Sequence, residues 1–297
     1  MSAKRKADDS MTEPTIKSSV KLFGGVLSRL THKSAVCACD MTFAAYLPPQ
    51  AESRAVPAVY WLSGLTCTDE NFSQKSGFAR AAAARGVAVI IPDTSPRGVT
   101  IEGADDSYDF GSGAGFYVNA TEPKWKEHYH MYSYVTAELP ALVESTFAGK
   151  VLAGKKSIFG HSMGGHGALT IGLKQPSAYA SISAFSPICN PTKVPWGVKA
   201  FNGYLGSVEA GKTHDACELV AAYDGPHLKV LVDQGAADNF LTGDVNQLQP
   251  DALVSACESN GKVDLTMRMQ PGYDHSYFFI SSFIDDHINF HADALGA

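Results

Sequence analysis

The chain has 297 residues, of which 45% are hydrophobic and 18% charged, enough apolar material for one large core. Its net charge of −6, with no basic stripe, argues against nucleic acid as a partner and favours solubility. No apolar run approaches the ~20 residues of a membrane span, so no membrane partner is expected.

Residues 1–19 are polar and lack the apolar core of a secretory signal. They are expected to form a disordered tail, leaving 20–297 as a single domain. Within the tail, Lys4-Arg5-Lys6 is a weak nuclear-import pattern of the kind that arises by chance. The C-terminal stretch carries neither a peroxisomal tripeptide nor a lipidation box. Six cysteines (Cys37, Cys39, Cys67, Cys189, Cys217 and Cys257) are scattered through a chain too long to need staples. They predict reduced, mostly buried thiols and a cytoplasmic location. Cys37 and Cys39 are expected on one face of a strand. No further ligands stand at metal-site spacing, so no metal is expected.

The elements follow in order. Residues 21–26 and 35–47 are extended in character, and 57–62 is a short apolar run stopped by Ser63-Gly64. The alanine-rich 78–85 predicts a helix ended by Gly86. The run 87–93 is continuously apolar and β-branched, as in a strand covered on both faces. Residues 95–119, rich in Gly, Asp, Ser and aromatics, predict a long irregular loop of the functional kind. Helical period returns at 132–147. A strand over 156–159 leads into a helix over 164–174. Strands are predicted over 180–185, 228–233 and 263–269, and a closing helix over 277–287. Strands alternating with helices predict an α/β class protein with a mostly parallel central sheet flanked by helices.

Gly160-His161-Ser162-Met163-Gly164 is a G-x-S-x-G pattern after a strand and before a helix, the setting a nucleophile elbow requires. The glycines allow a sharp, strained turn that lifts the Ser162 hydroxyl out of the sheet. The Met163 amide then lies at a helix N-terminus, where an anion is favoured. The five-residue pattern alone also fits a glycine-rich turn with a bystander serine.

A nucleophilic serine needs a base, and the base needs an orienting acid; on this fold class the order is Ser, acid, His. His275 is the one loop histidine after a late strand. His161 and His166 are too close to the elbow to swing onto its hydroxyl. His287 and His291 lie on the last helix and are expected to be solvated. For the acid, Asp233 at a strand end and Asp238 in the following loop both fit, with Asp244 and Asp274 weaker candidates. The second oxyanion donor is expected in the loop after the Trp61 strand, from the Leu65 amide beside that of Met163.

Four stretches carry a resemblance longer than the elbow: Tyr60-Trp61-Leu62-Ser63-Gly64-Leu65-Thr66-Cys67-Thr68, Gly160 to Ala168, Asp233-Gln234-Gly235, and Gly272-Tyr273-Asp274-His275-Ser276-Tyr277. With Pro195-Trp196-Gly197 and Gly203-Tyr204-Leu205-Gly206, they are similar to the S-formylglutathione hydrolases, the esterase D family, from about residue 21 to 291. The resemblance implies an α/β-hydrolase fold and cleavage of the thioester S-formylglutathione to glutathione and formate, the second step of glutathione-dependent formaldehyde removal. It also implies side activity on short carboxylic esters, no cofactor and a homodimer. By position it makes Ser162 the nucleophile, His275 the base and Asp238, not Asp233, the acid, with Leu65 and Met163 as oxyanion donors. Two departures stand out: a longer N-terminal tail, and Asn239 where many relatives carry Gln.

The small formyl group calls for a narrow acyl pocket, which Trp61, Trp196 or the 95–119 loop is expected to shape. Cys67 reads equally as a thiol whose modification blocks the site and as a small packing residue. The rival readings are a broad carboxylesterase or acyltransferase on the same fold, and a non-catalytic binding protein. The intact Ser, Asp, His set argues against the latter.

Overall fold

The computed structural model describes residues 13–297; the Lys4-Arg5-Lys6 patch lies outside the described residues. Nine strands form one sheet: β1 (Thr15–Leu22), β2 (Gly25–Ser34), β3 (Cys39–Leu47), β4 (Val56–Leu62), β5 (Ala88–Pro92), β6 (Val151–His161), β7 (Ile182–Phe185), β8 (Leu228–Gly235) and β9 (Val263–Gln270). Their order is β1-β2-β3-β5-β4-β6-β7-β8-β9. The first three strands and the β3–β5 pair are antiparallel, and every pair from β5 through β4 to β9 is parallel.

Strand parity divides the interior. Along β4, Ala58, Tyr60 and Leu62 enter one apolar core, while Val59 and Trp61 enter the other. Both faces are covered, which is why β4 and β5 are buried at every position and read as unbroken apolar runs. The Trp61 side of the sheet is closed by α1 (Asp69–Lys75), α2 (Ala79–Arg85) and the C-terminal helix Tyr277–Leu295, which contribute Phe72, Ala82, Ile284 and Ile288.

Several expectations change here. β1 begins at Thr15, inside the stretch expected to be tail. Its residues are almost all exposed, so it has no apolar alternation to announce it; backbone pairing to β2 makes it a strand. Cys37 sits in the turn before β3 and Ala38 has φ +50°, so Cys37 and Cys39 do not share a strand face. All six cysteines are free, with Cys37, Cys189 and Cys257 buried and the other three half-buried.

The largest correction concerns His287 and His291, which are fully buried rather than solvated. They fall on the same helical face as Ile280, Ile284 and Ile288, a spacing of three and four visible in the sequence. His287 Nε2 bonds Asp233 Oδ2 at 2.9 Å, and its Nδ1 bonds Ser183 Oγ at 2.8 Å. Ser183 Oγ also meets His291 Nε2 at 2.7 Å, and His291 Nδ1 meets Ser181 Oγ at 2.7 Å. Burial pushes both histidines below the ordinary imidazole value, although Asp233 pulls His287 the other way. Burial likewise lowers His166 to about 4.

A histidine lowered in the fold takes up its proton near pH 6.5 only when unfolded, so stability is lost as pH falls below that value. His166, held at about 4, should cost roughly 2 kcal/mol between pH 6.5 and pH 5, and the lowered His287 and His291 act in the same direction. The melting temperature is therefore expected to fall steadily from pH 7 to pH 5. A flat Tm across that window would contradict the neutral buried network.

Candidate active site

The parallel strands converge on one sheet edge, and the residues after β4, β6, β8 and β9 meet there. This is where ligands sit in open α/β sheets, outside the carboxyl ends of the strands. After β6, Ser162 adopts φ 57° and ψ −118°, a conformation strained for a residue with a side chain. The turn closes because the chain passes within contact of β4. A Cβ on Gly164 would stand 2.0 Å from the Leu62 carbonyl oxygen, and one on Gly160 would stand 2.3 Å from that of Gly164. The helix Met163–Lys174 starts immediately after the serine and directs its N-terminal dipole at the hydroxyl.

After β8, Asp238 is fully buried and caps the short helix Asn239–Thr242. Its Oδ1 accepts the Phe240 amide at 2.8 Å, which fixes the carboxylate. Its Oδ2 meets His275 Nδ1 at 2.5 Å. Asp233, the other candidate acid, serves the opposite side of the sheet. It accepts from His287, from Gln270 at 2.8 Å and from the Arg268 guanidinium. Its burial raises its pKa, but the hydrogen bonds from His287 and Arg268 outweigh this and hold it at about 2.

Ser162 and His275 line one cavity of about 330 Å³ with Leu65, Cys67, Asn71, Tyr108, His161, Trp196, Phe240 and Tyr277. No hydrogen bond joins the Ser162 hydroxyl to His275 among the described residues; such contacts commonly tighten only when substrate is bound. The larger groove lined by Lys155, Lys229 and His227 lies at the other end of the strands, remote from these groups.

The loop after β4 is held firmly. The Thr66 amide donates to the Gly113 carbonyl at 2.9 Å. The Cys67 carbonyl accepts from Thr94 Oγ1 at 2.5 Å and from Arg97 at 3.1 Å, and Arg97 is itself paired with Asp93. The Leu65 and Met163 amides have no acceptor among the described residues, so both are free to face an oxyanion.

Trp61 departs from expectation. It lies on the far face of β4, fully buried, stacked on Phe72 with ring centroids 3.9 Å apart. Strand parity turns it away from the cavity, although the oxyanion loop begins just beyond it. Trp196 does line the cavity, and its indole N–H donates to the Tyr108 hydroxyl at 3.1 Å. Tyr108 is thus the wall contributed by the long loop. Cys67 also lines it, and burial raises its thiol above the usual range. Asn71, Phe240 and Tyr277 are not assigned to the pocket by the sequence. Phe240 and Tyr277, two residues after Asp238 and His275, carry a positional signal, and Asn71 carries none.

His161 is the other surprise. It is buried with neither ring nitrogen hydrogen-bonded, and its ring lies 4.4 Å from that of His275. Burial and the neighbouring His275 push its pKa well down, leaving a neutral imidazole beside the candidate base.

Comparisons with known proteins identify the family. The family model named Esterase matches residues 34–290. The S-formylglutathione hydrolase of Rattus norvegicus is 56% identical over 281 residues, covering 94% of this chain and 98% of that protein. The S-formylglutathione hydrolase of Arabidopsis thaliana is 51% identical over 279 residues, covering 93% and 96%. The chain belongs to the S-formylglutathione hydrolase family. An S-formylglutathione hydrolase structure from Agrobacterium tumefaciens superposes with a TM-score of 0.89 at 44% identity, over 95% of this chain and 99% of that one. The fold is accordingly that of the α/β-hydrolases, and the protein is an enzyme, a serine esterase by family. No helix among the described residues is long and apolar enough to cross a membrane.

Proposed function

We propose that this enzyme hydrolyses S-formylglutathione to glutathione and formate through Ser162, His275 and Asp238. The observation that carries the reading is the 2.5 Å contact between Asp238 and His275 at the rim of the cavity holding the strained Ser162. His275 takes the hydroxyl proton as Oγ attacks the formyl carbon. Asp238 keeps the Nδ1–H tautomer and stabilises the imidazolium. The Leu65 and Met163 amides receive the oxyanion, each worth about 10²–10³ in rate. Collapse of the tetrahedral intermediate expels the glutathione thiolate, which takes the proton from His275. Water, activated by the same imidazole, then releases formate and regenerates Ser162.

The cavity walls of Trp196, Phe240 and Tyr108 support a preference for a very small acyl group. The same machinery suits short carboxylic esters, in keeping with the esterase family. A homodimer in the cytoplasm completes the proposal; family resemblance supports the first and six free cysteines the second. The test is turnover by purified enzyme of S-formylglutathione against short p-nitrophenyl esters. A kcat/KM for the thioester well above that for the esters is expected. Ester hydrolysis with no thioester turnover would make the protein a carboxylesterase instead.

A further inference from the structure

The formyl group offers a pocket almost nothing to grip, so discrimination must come from the leaving group. Glutathione carries two carboxylates and one ammonium, and its tail must leave the cavity beside Ser162. Part of the wall of that cavity comes from α1. Asn71 and Lys75 stand four residues apart on this helix and so share a face. Asn71 lines the cavity. Lys75 is exposed, with Nζ 5.9 Å from the centre of the Tyr277 ring, which also lines the cavity.

From Tyr277 the next ring inward is His161 at 6.3 Å, and His275 lies 4.4 Å beyond that. A run of neighbouring rings thus connects the ammonium to His275.

Asp69 and Glu70 on the same helix, and Asp274 near Tyr277 in the chain, have other partners. Asp69 and Glu70 pair with Arg29. The Asp274 carboxylate accepts the amide and hydroxyl of Ser276. Lys199, which meets Ser107 beside Tyr108, is paired with Asp109. No carboxylate of the described residues pairs with Lys75, and an exposed ammonium over the face of a ring that lines the cavity is placed to receive an anion.

We propose that Lys75 anchors a carboxylate of the glutathionyl tail, and so selects a peptide thioester over neutral esters at the same Ser162. This rests on the reading of S-formylglutathione as the substrate. The glycyl carboxylate and the α-carboxylate of the γ-glutamyl residue present the same chemistry to the ammonium.

The test compares wild type, Lys75→Gln, Lys75→Glu and Lys75→Arg on S-formylglutathione and on neutral p-nitrophenyl acetate. Lys75→Gln is expected to raise KM for the thioester about 3–5-fold with kcat unchanged, the size of an exposed ion pair. Lys75→Glu raises it further, Lys75→Arg restores it, and the difference shrinks in 0.5 M salt, where the Debye length is only a few ångströms. The p-nitrophenyl acetate parameters stay at the wild-type value throughout. A glycyl monoethyl ester of the thioester assigns the carboxylate: a wild-type KM raised to the Lys75→Gln value marks the glycyl end, and an unchanged one the γ-glutamyl end.

An unaltered thioester KM in Lys75→Gln and Lys75→Glu would overturn the proposal, as would equal changes on both substrates. Wild-type enzyme inert towards S-formylglutathione but active on the neutral ester would instead overturn the substrate assignment on which it rests.

Discussion

Ser162→Ala and His275→Ala are each expected to lower kcat about 10⁵–10⁶-fold, and the double variant should be no worse than either alone. The reason lies in the division of labour. Without the hydroxyl there is no acyl-enzyme route, and without the imidazole the hydroxyl is not activated at neutral pH. What remains after either loss is the pull of the Leu65 and Met163 amides on a bound carbonyl, worth roughly 10³-fold or more over water. Steady-state kinetics on a short p-nitrophenyl ester measures all three variants. Additive losses in the double variant would mean that the two side chains act independently, contrary to the proposed relay.

The second large effect separates two aspartates only five positions apart. Asp238→Asn is expected to lower kcat about 10⁴-fold while leaving the fold intact. An amide at this position still accepts the Phe240 N–H and caps the helix Asn239–Thr242. However, its NH₂ faces His275 Nδ1, so the imidazole is held in the tautomer that cannot accept the serine proton. Asp233→Asn should do the reverse. Asp233 is fully buried between His287 and Arg268. Weakening that cluster should cost about 3 kcal/mol and lower Tm by roughly 5–15 °C, with kcat at 20 °C near wild type. Thermal melts alongside kinetics distinguish the two. A large kcat loss in Asp233→Asn with an unchanged Tm would reverse the assignment.

That pair also shows how far the sequence is legible. The elbow is local: a strand, five residues and a helix, all within one continuous segment. Its strain and its glycines are therefore written where they act, and the strands flanking it could be read from apolar runs. The choice between Asp233 and Asp238 is not local. It depends on Arg268, Gln270 and His287, which lie 35, 37 and 54 residues downstream and capture Asp233 from β9 and the last helix. Resemblance pointed to Asp238, whereas spacing left both open.

Trp61 illustrates a different obstacle. Chain proximity to the oxyanion loop suggested a pocket wall, but a one-residue change of parity along a strand reverses the face a side chain meets. His287 and His291 are buried against the usual solvation of histidine, and their spacing with Ile284 and Ile288 marks the buried face. The long 95–119 loop was legible as a wall and supplies Tyr108, but Asn71 and Tyr277 come from segments far apart in the chain, and no periodicity links them. β1 is hidden for the opposite reason: it buries almost nothing, so its pairing leaves no mark on composition.

The central claim is that His275, oriented by Asp238, activates Ser162. The most direct measurement is labelling of the intact enzyme with a fluorophosphonate, followed by peptide mapping and timed mass spectrometry. One adduct is expected, on Ser162, forming at least ~10³-fold more slowly in His275→Ala. An adduct on any other residue, or labelling of His275→Ala at the wild-type rate, would contradict it.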